Sequence, residues 1–258
     1  MERIISSKRR REQGFTLVEL AIVMIIIGLL ITGILKGQEM IANAQVTSTV
    51  AQIKGLDAAT STFRDTYSAL PGDMTNAATR LAGCTAAAGC APAGADGNGR
   101  INADPGDAVV AGEGVAFFLQ LAAADLITGV NPTPTTAAID VGDEVPEASI
   151  SGASFRIGFT PGGPTGSQGG AAATWRAGHY LGVGSIPGTA IGGGGAGLEG
   201  LSPTQAGRID AKLDDGLPQS GFVRAGGVAT CVAAVGGVSQ YNGVVSQADC
   251  DVFVRIQG

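Results

Sequence analysis

One carboxylate in this chain stands where a charge is hardest to keep. Glu19 is the single charged residue in the 21-residue run Phe15–Leu35, FTLVELAIVMIIIGLLITGIL. An acid near the centre of a lipid-embedded helix costs on the order of 2.5–3.5 kcal/mol, less near an interface, so it calls for a partner. A second group of oxygen-bearing residues follows much later. In Asp96-Gly-Asn-Gly-Arg-Ile-Asn-Ala-Asp104, the residues Asp96, Asn98 and Asn102 recur at even spacing, as ligands of a calcium loop do. Arg100 stands where such a loop wants oxygen, and no Glu closes it, so a plain Asn/Gly turn competes with the weak calcium reading. Four cysteines, Cys84, Cys90, Cys231 and Cys250, allow three disulfide pairings or a set of free buried thiols. Their spacing does not suit zinc, and His179 is the sole histidine.

Nothing else assembles into catalytic chemistry. Gly192–Gly200 fits the dinucleotide pattern G-x-G-x-x-G twice, but no strand leads into it and no helix follows at once. There is no nucleophile elbow and no phosphate-binding loop. A Ser/His/Asp triad would have to use His179, which reads as a residue at a strand edge, and Asp214-Asp215 reads as a solvated pair. The expectation is no enzyme, no catalytic residue and no cofactor.

The elements that position these residues begin with charge asymmetry. Arg3, Lys8, Arg9, Arg10 and Arg11, against Glu2 and Glu12, precede the apolar run, while the rest of the chain is strongly acidic. A net charge of −6 argues against a nucleic-acid partner. Charged residues make up 15% and aromatics 5%, with 42 glycines, which excludes a coiled coil or a charge-rich disordered tail. As a helix, 21 residues extend roughly 31 Å, enough to cross a bilayer core. Basic residues stay on the cytoplasmic side, so the rest of the chain is expected outside the cytoplasm. A secretory signal peptide cut at Ala42-Asn43-Ala44 is the competing reading. Against it stand the length of the run and the intervening Lys36, Gln38 and Glu39. A plain membrane anchor leaves Glu19 without a purpose.

The segment Arg10-Arg-Glu-Gln-Gly14-Phe15-Thr-Leu-Val-Glu19 resembles the class III signal of type IV prepilins and type II secretion pseudopilins. The resemblance implies that a membrane prepilin peptidase/methyltransferase removes residues 1–14 by cutting between Gly14 and Phe15, then methylates the Phe15 amine. It implies that Glu19 faces the freed amine of a neighbouring subunit inside a helical filament. It further implies a single-pass protein of the bacterial inner membrane with its head in the periplasm, and then a subunit of a pilus or pseudopilus. The implied partners are other pilin or pseudopilin subunits and an inner-membrane assembly platform. The reading of a different class is a membrane-tethered or secreted, adhesin-like binding protein acting through its head alone.

Beyond the run, Val46, Val50, Ile53, Leu56, Phe63 and Tyr67 form an amphipathic stripe, and no proline occurs before Pro71. The pattern predicts one helix from Phe15 to about Tyr67, with 15–35 in membrane or filament core, 36–67 as its amphipathic continuation and 68–258 as a globular head. Gly28, Gly33 and Gly37 offer small surfaces for close helix packing. The turn Leu70-Pro-Gly-Asp73, similar to one found after the stalk in pilin-like proteins, ends the helix, and Asp73 is expected to cap a short helix through Leu81. A helix is expected around Val115, Phe118, Leu119, Ala122 and Leu126, stopped by Gly129. Asn131–Pro146 reads as loop, Ser154–Phe159 and His179–Val183 as strands, and Pro161–Ala173 and Gly188–Gly200 as glycine-rich connectors. Ser202, Pro203 and Gln205 predict a capped helix ended by Gly216. The stretch Ile209–Pro218 is similar to a segment late in some large pilin-like proteins. Strands and turns complete the chain through Val252–Ile256. The expected fold is α+β, a long stalk helix packed on a mainly antiparallel sheet with Gly/Ala-rich loops. On this topology all four cysteines lie in an oxidising space. The local pairing Cys84–Cys90 and Cys231–Cys250 is preferred, the second resembling the C-terminal disulfide loop of many pilins.

Overall fold

A computed structural model describes residues 16–86, 89–103, 112–134, 141–162, 175–184, 200–227, 231–235, 237–244 and 250–256. The leader 1–14, Phe15, Asp104 and most of both glycine-rich connectors lie outside the described residues. The chain forms two compact units, divided in sequence between Asn43 and Ala44.

Helix α1 runs from Leu17 to Tyr67 without a proline. In its second half the expected stripe is the buried one: Val46, Val50, Ile53, Leu56 and Phe63 are buried, together with Thr49 and Thr60. Those two hydroxyls donate to the Gln45 and Leu56 carbonyls, which satisfies them locally. The helix stops where Ser68 turns to positive φ, before Leu70-Pro71-Gly72. Gly72 is required there: its φ is 88°, and a side chain would meet the Glu113 carbonyl at 2.4 Å.

Helix α2 (Ala77–Arg80) is a single turn, and its N-cap is Asn76 with no side-chain hydrogen bond. Asp73 therefore does not cap it. Helix α3 (Glu113–Ala123) ends before Gly129. Asp125 takes φ 61°, its N–H donates to the Ala122 carbonyl, and the Leu126 N–H donates to the Leu121 carbonyl. That is a Schellman ending with aspartate in the usual glycine place, and it stops the helix well before Gly129.

Strands β1 (Ser154–Thr160), β2 (Gly178–Gly184), β3 (Val223–Gly227) and β6 (Cys250–Ile256) form an antiparallel sheet in the order β1-β2-β6-β3. The register pairs Phe155 with Val183, Ile157 with Leu181, Leu181 with Val254, and Val223 with Val254. These alternate residues share one hydrophobic core with the buried side of α1, with α3, and with α4 (Pro203–Leu213). The other sheet face carries a smaller cluster of Trp175, Tyr180 and Phe253. Beside it, Arg156 pairs with Asp251 at 2.8 Å. The expected capping box of α4 is present: Ser202 Oγ accepts from the Gln205 N–H, and Gln205 Oε1 accepts from the Ser202 N–H. Strands β4 (Val232–Val235) and β5 (Val238–Tyr241) make a separate hairpin. The fold is α+β, a long N-terminal apolar helix with a mainly antiparallel sheet.

Candidate functional site

The first turn of α1 is built around two side chains. The Thr16 N–H and Thr16 hydroxyl both donate to Glu19 Oε2, at 2.9 and 2.8 Å. In return the Glu19 N–H donates to Thr16 Oγ1 at 3.3 Å. This is a capping box, Thr-x-x-Glu, in which each residue serves an N–H that the helix itself leaves unpaired. Glu19 Oε1 has no hydrogen-bond donor among the described residues. The signal for Thr16 was present in the sequence as a spacing of three, and an apolar run is an unusual place to find it.

Around Glu19 the surface is bare hydrocarbon. Leu17 is 87% exposed, and Leu20, Met24, Leu30 and Leu35 are all more than half exposed. Apolar surface on this scale needs lipid or protein over it. Among the described residues one helix is long and apolar enough to cross a membrane. Nothing lies within 4 Å of the place a side chain would occupy at Gly28, Gly33 or Gly37, so these three positions expose helix backbone.

Residues 9–35 match the family model of the prokaryotic N-terminal methylation motif. It is the prepilin-type signal of type IV pilins and pseudopilins. The match spans Arg9, Arg10 and Arg11 of the basic flank, Gly14, Phe15, Glu19 and the apolar run, and it leaves the head untouched. No curated protein and no solved structure matches the chain. The signal supports a type IV pilin-like or pseudopilin-type protein, and with the single apolar N-terminal helix it fits anchorage in the inner membrane.

In the head, the calcium candidates are rearranged. Carboxylate oxygens of Asp73, Asp96 and Glu113 lie within 4.8 Å of one another. Asp73 is buried and accepts from the N–H groups of Gly97 and Gly99, at 2.8 and 2.6 Å. It thus fastens the 96–102 loop instead of capping α2. The Asn98 amide donates to Asp96 and Asn102, and Asn102 donates to Glu113 through both its N–H and its amide. Of the three residues expected from spacing, only Asp96 offers a carboxylate to the cluster. Glu113 comes from α3, and no spacing rule could have linked it. Burial pushes the Glu113 pKa up, the Asn102 N–H works against that, and the charges of Asp73 and Asp96 add to the rise. Such a group of acids can share a proton or take a divalent cation.

A second acidic group is formed by Asp210, Asp214 and Asp215. Asp214 is half-buried and accepts from the N–H groups of Phe222 and Val223, while Asp215 accepts from Leu217 N–H and the Ser220 hydroxyl. The pair is therefore turn-forming, not merely solvated. Asp210 is fully buried and accepts from the Tyr241 hydroxyl at 2.7 Å and from Gly216 N–H. Burial raises its pKa to about 6, against the two hydrogen bonds and with the help of Asp215 and Asp214.

His179 lies on β2, an inner strand, buried at 4% exposure on the core face between Phe159 and Ile256. Its Nε2 accepts from the Ile101 N–H, so the imidazole supports the 96–102 loop. Burial, then the Arg64 and Arg100 charges, lower its pKa to about 4. The cysteines form two disulfides, Cys84–Cys90 and Cys231–Cys250. Gly14 and Phe15, and positions 192–199 of the glycine pattern, lie outside the described residues.

Proposed function

We propose that the chain is a non-enzymatic structural subunit of a type IV pilus-like or type II secretion pseudopilus filament. The observation that supports it above all is the prepilin-type signal over residues 9–35, fused to a helix whose first half is exposed hydrocarbon. In this reading the precursor sits in the inner membrane with its basic flank in the cytoplasm and residues 68–258 in the periplasm. Prepilin peptidase cuts between Gly14 and Phe15 and methylates the new amine. The assembly platform then stacks the apolar helix against those of other pilin or pseudopilin subunits.

Glu19 is the charge that sets this stacking. A carboxylate in a hydrocarbon bundle is stabilised by an ammonium brought close to it, and either charge left alone is penalised. The freed amine of Phe15 on a neighbouring subunit is the cation that cleavage creates. Asp96, Asn98 and Asn102 remain a proposed, weaker place for calcium in the head, with Asp73 and Glu113 supplying the further carboxylates.

The test is the N-terminus of the mature protein, read by mass spectrometry from native membranes. N-methyl-Phe15 is the expected result. An intact leader, or a chain beginning at Gln45, would remove the filament reading and favour a head acting alone.

A further inference from the structure

We propose that Thr16 is a positioning residue for Glu19: its hydroxyl holds one carboxylate oxygen over the start of α1 and leaves the other open for the amine of an adjoining copy. The inference rests on the filament reading of Glu19 and adds to it the residue that aims the acid. Its basis is the asymmetry of the hydrogen bonds. Both donors of Thr16 converge on Oε2, and Oε1 receives none among the described residues. A glutamate side chain has three rotatable bonds and in an apolar medium would otherwise turn toward whatever donor is nearest. With Oε2 held at 2.8–2.9 Å by a residue three positions earlier, the carboxylate is turned back toward the N-terminal end of its own helix. There it adds to the favourable interaction of an anion with the helix N-terminus.

Two consequences follow for a subunit in lipid. First, before any neighbour arrives, the acid already has hydrogen-bond donors from its own chain. This lowers the penalty of an ionised group in a medium without water. Second, the arriving amine meets a carboxylate whose orientation is already fixed, so less side-chain freedom is lost when the charges pair. Thr16 therefore acts through Glu19.

The experiment uses the full chain in its native host with its assembly machinery, and reads the share of cleaved chain recovered in filament, so that differences in cleavage cancel. Thr16→Val keeps the shape and removes the hydroxyl, and incorporation is expected to fall roughly five-fold, the scale of a lost capping interaction. Thr16→Ser restores the hydroxyl and is expected to return incorporation to within about two-fold of the unaltered chain. In detergent micelles, amide exchange at Glu19, whose N–H donates to Thr16 Oγ1, is expected to quicken in Thr16→Val and not in Thr16→Ser. Normal incorporation of Thr16→Val, or an equal loss in Thr16→Ser, overturns the positioning role. Glu19→Gln separates the two ideas. If it assembles normally, the role of Glu19 itself fails. If it does not assemble while Thr16→Val does, only the part given to Thr16 fails.

Discussion

A side chain on Gly184 would place its first carbon 1.8 Å from Oδ1 of Asp251, the carboxylate that pairs with the buried guanidinium of Arg156. The same absence of a side chain recurs two residues back along β2, on the same face. At Gly182 an added carbon would lie 2.8 Å from Arg156 Cγ and 2.9 Å from Phe253 Cε1. The outer face of β2 is thus a trough, and Arg156 lies in it over the Phe253 ring, 4.8 Å from its centroid. Gly184→Ala must displace Asp251 and loosen a buried ion pair, and breaking such a pair costs far more than a surface change. The expected loss is about 3 kcal/mol, roughly 10 °C in melting temperature for the detergent-solubilised chain. Gly243→Ala, with open space around it, is the control and should move stability by no more than about 0.5 kcal/mol.

His179 should make the head sensitive to mild acid. Its pKa of about 4 in the folded chain lies below the ordinary 6.5, so the unfolded chain binds the proton more readily. Stability contributed by the neutral ring is complete above pH 6.5 and is lost progressively as pH falls toward 4, up to about 3 kcal/mol for a shift of this size. Protonation also turns Nε2 from an acceptor of the Ile101 N–H into a donor facing it. His179→Gln keeps an acceptor and cannot titrate. Denaturant unfolding from about pH 7 to about pH 4 should show a shallower decline in the variant, and equal slopes would contradict this account.

Asp210 carries the opposite slope. Its pKa is raised from the ordinary 3.8 to about 6, so the folded chain holds the proton more tightly than the unfolded one. Its contribution is complete below pH 3.8 and fades as pH rises through 6, again by up to about 3 kcal/mol. Asp210→Asn abolishes that fall, so the stability difference between variant and parent should shift in favour of the variant as pH is raised from about 4 to about 7. Tyr241→Phe removes one hydrogen bond that stabilises the carboxylate, which should push the Asp210 pKa higher and steepen the fall. Side-chain carboxyl NMR reads the Asp210 titration directly.

What could be read in the sequence follows from how far apart the cooperating residues lie. The stripe Val46 to Phe63, the α4 capping box and the strands expected at 154–159 and 179–183 are local patterns, and each formed within a residue of where its pattern placed it. The methylation motif is also local, and the match over residues 9–35 includes the segment Arg10–Glu19 that carries the signal. Readings that failed involve a non-local competitor. Asp73 looked like a cap because capping is a short-range choice, yet Gly97 and Gly99 present two N–H groups to it from across the head. His179 gave no sign of being on an inner strand, because strand order is set by which chain segments pair and not by the residues of β2. The early end of α3 is the exception. Asp125 adopts a conformation that the sequence would sooner assign to Gly129.

The two disulfides should differ in what they hold. Cys231–Cys250 joins residues 19 apart, ties the start of β6 to the residue before β4, and sits where Leu201 also pairs with Cys250 through two backbone hydrogen bonds. Cys84–Cys90 joins residues only six apart, and its loop is also gripped by the Gln120 amide, which donates to the Cys90 carbonyl while its oxygen accepts from Gly72 N–H. The longer loop leaves more freedom to the unfolded chain when opened, so the chain-entropy estimate is about 3 kcal/mol for the first bridge and about 2 kcal/mol for the second. All four cysteines are buried, so alanine at either pair also leaves a small cavity, an effect similar at both sites. The double variant Cys231→Ala/Cys250→Ala should therefore unfold at lower denaturant than Cys84→Ala/Cys90→Ala. It should also expose the β4–β5 hairpin to limited proteolysis, since that hairpin lies inside the opened loop. A reversed order of stability would mean that the Gln120 clamp depends on the shorter bridge more than loop length allows, and Gln120→Ala in both backgrounds would then show the coupling directly.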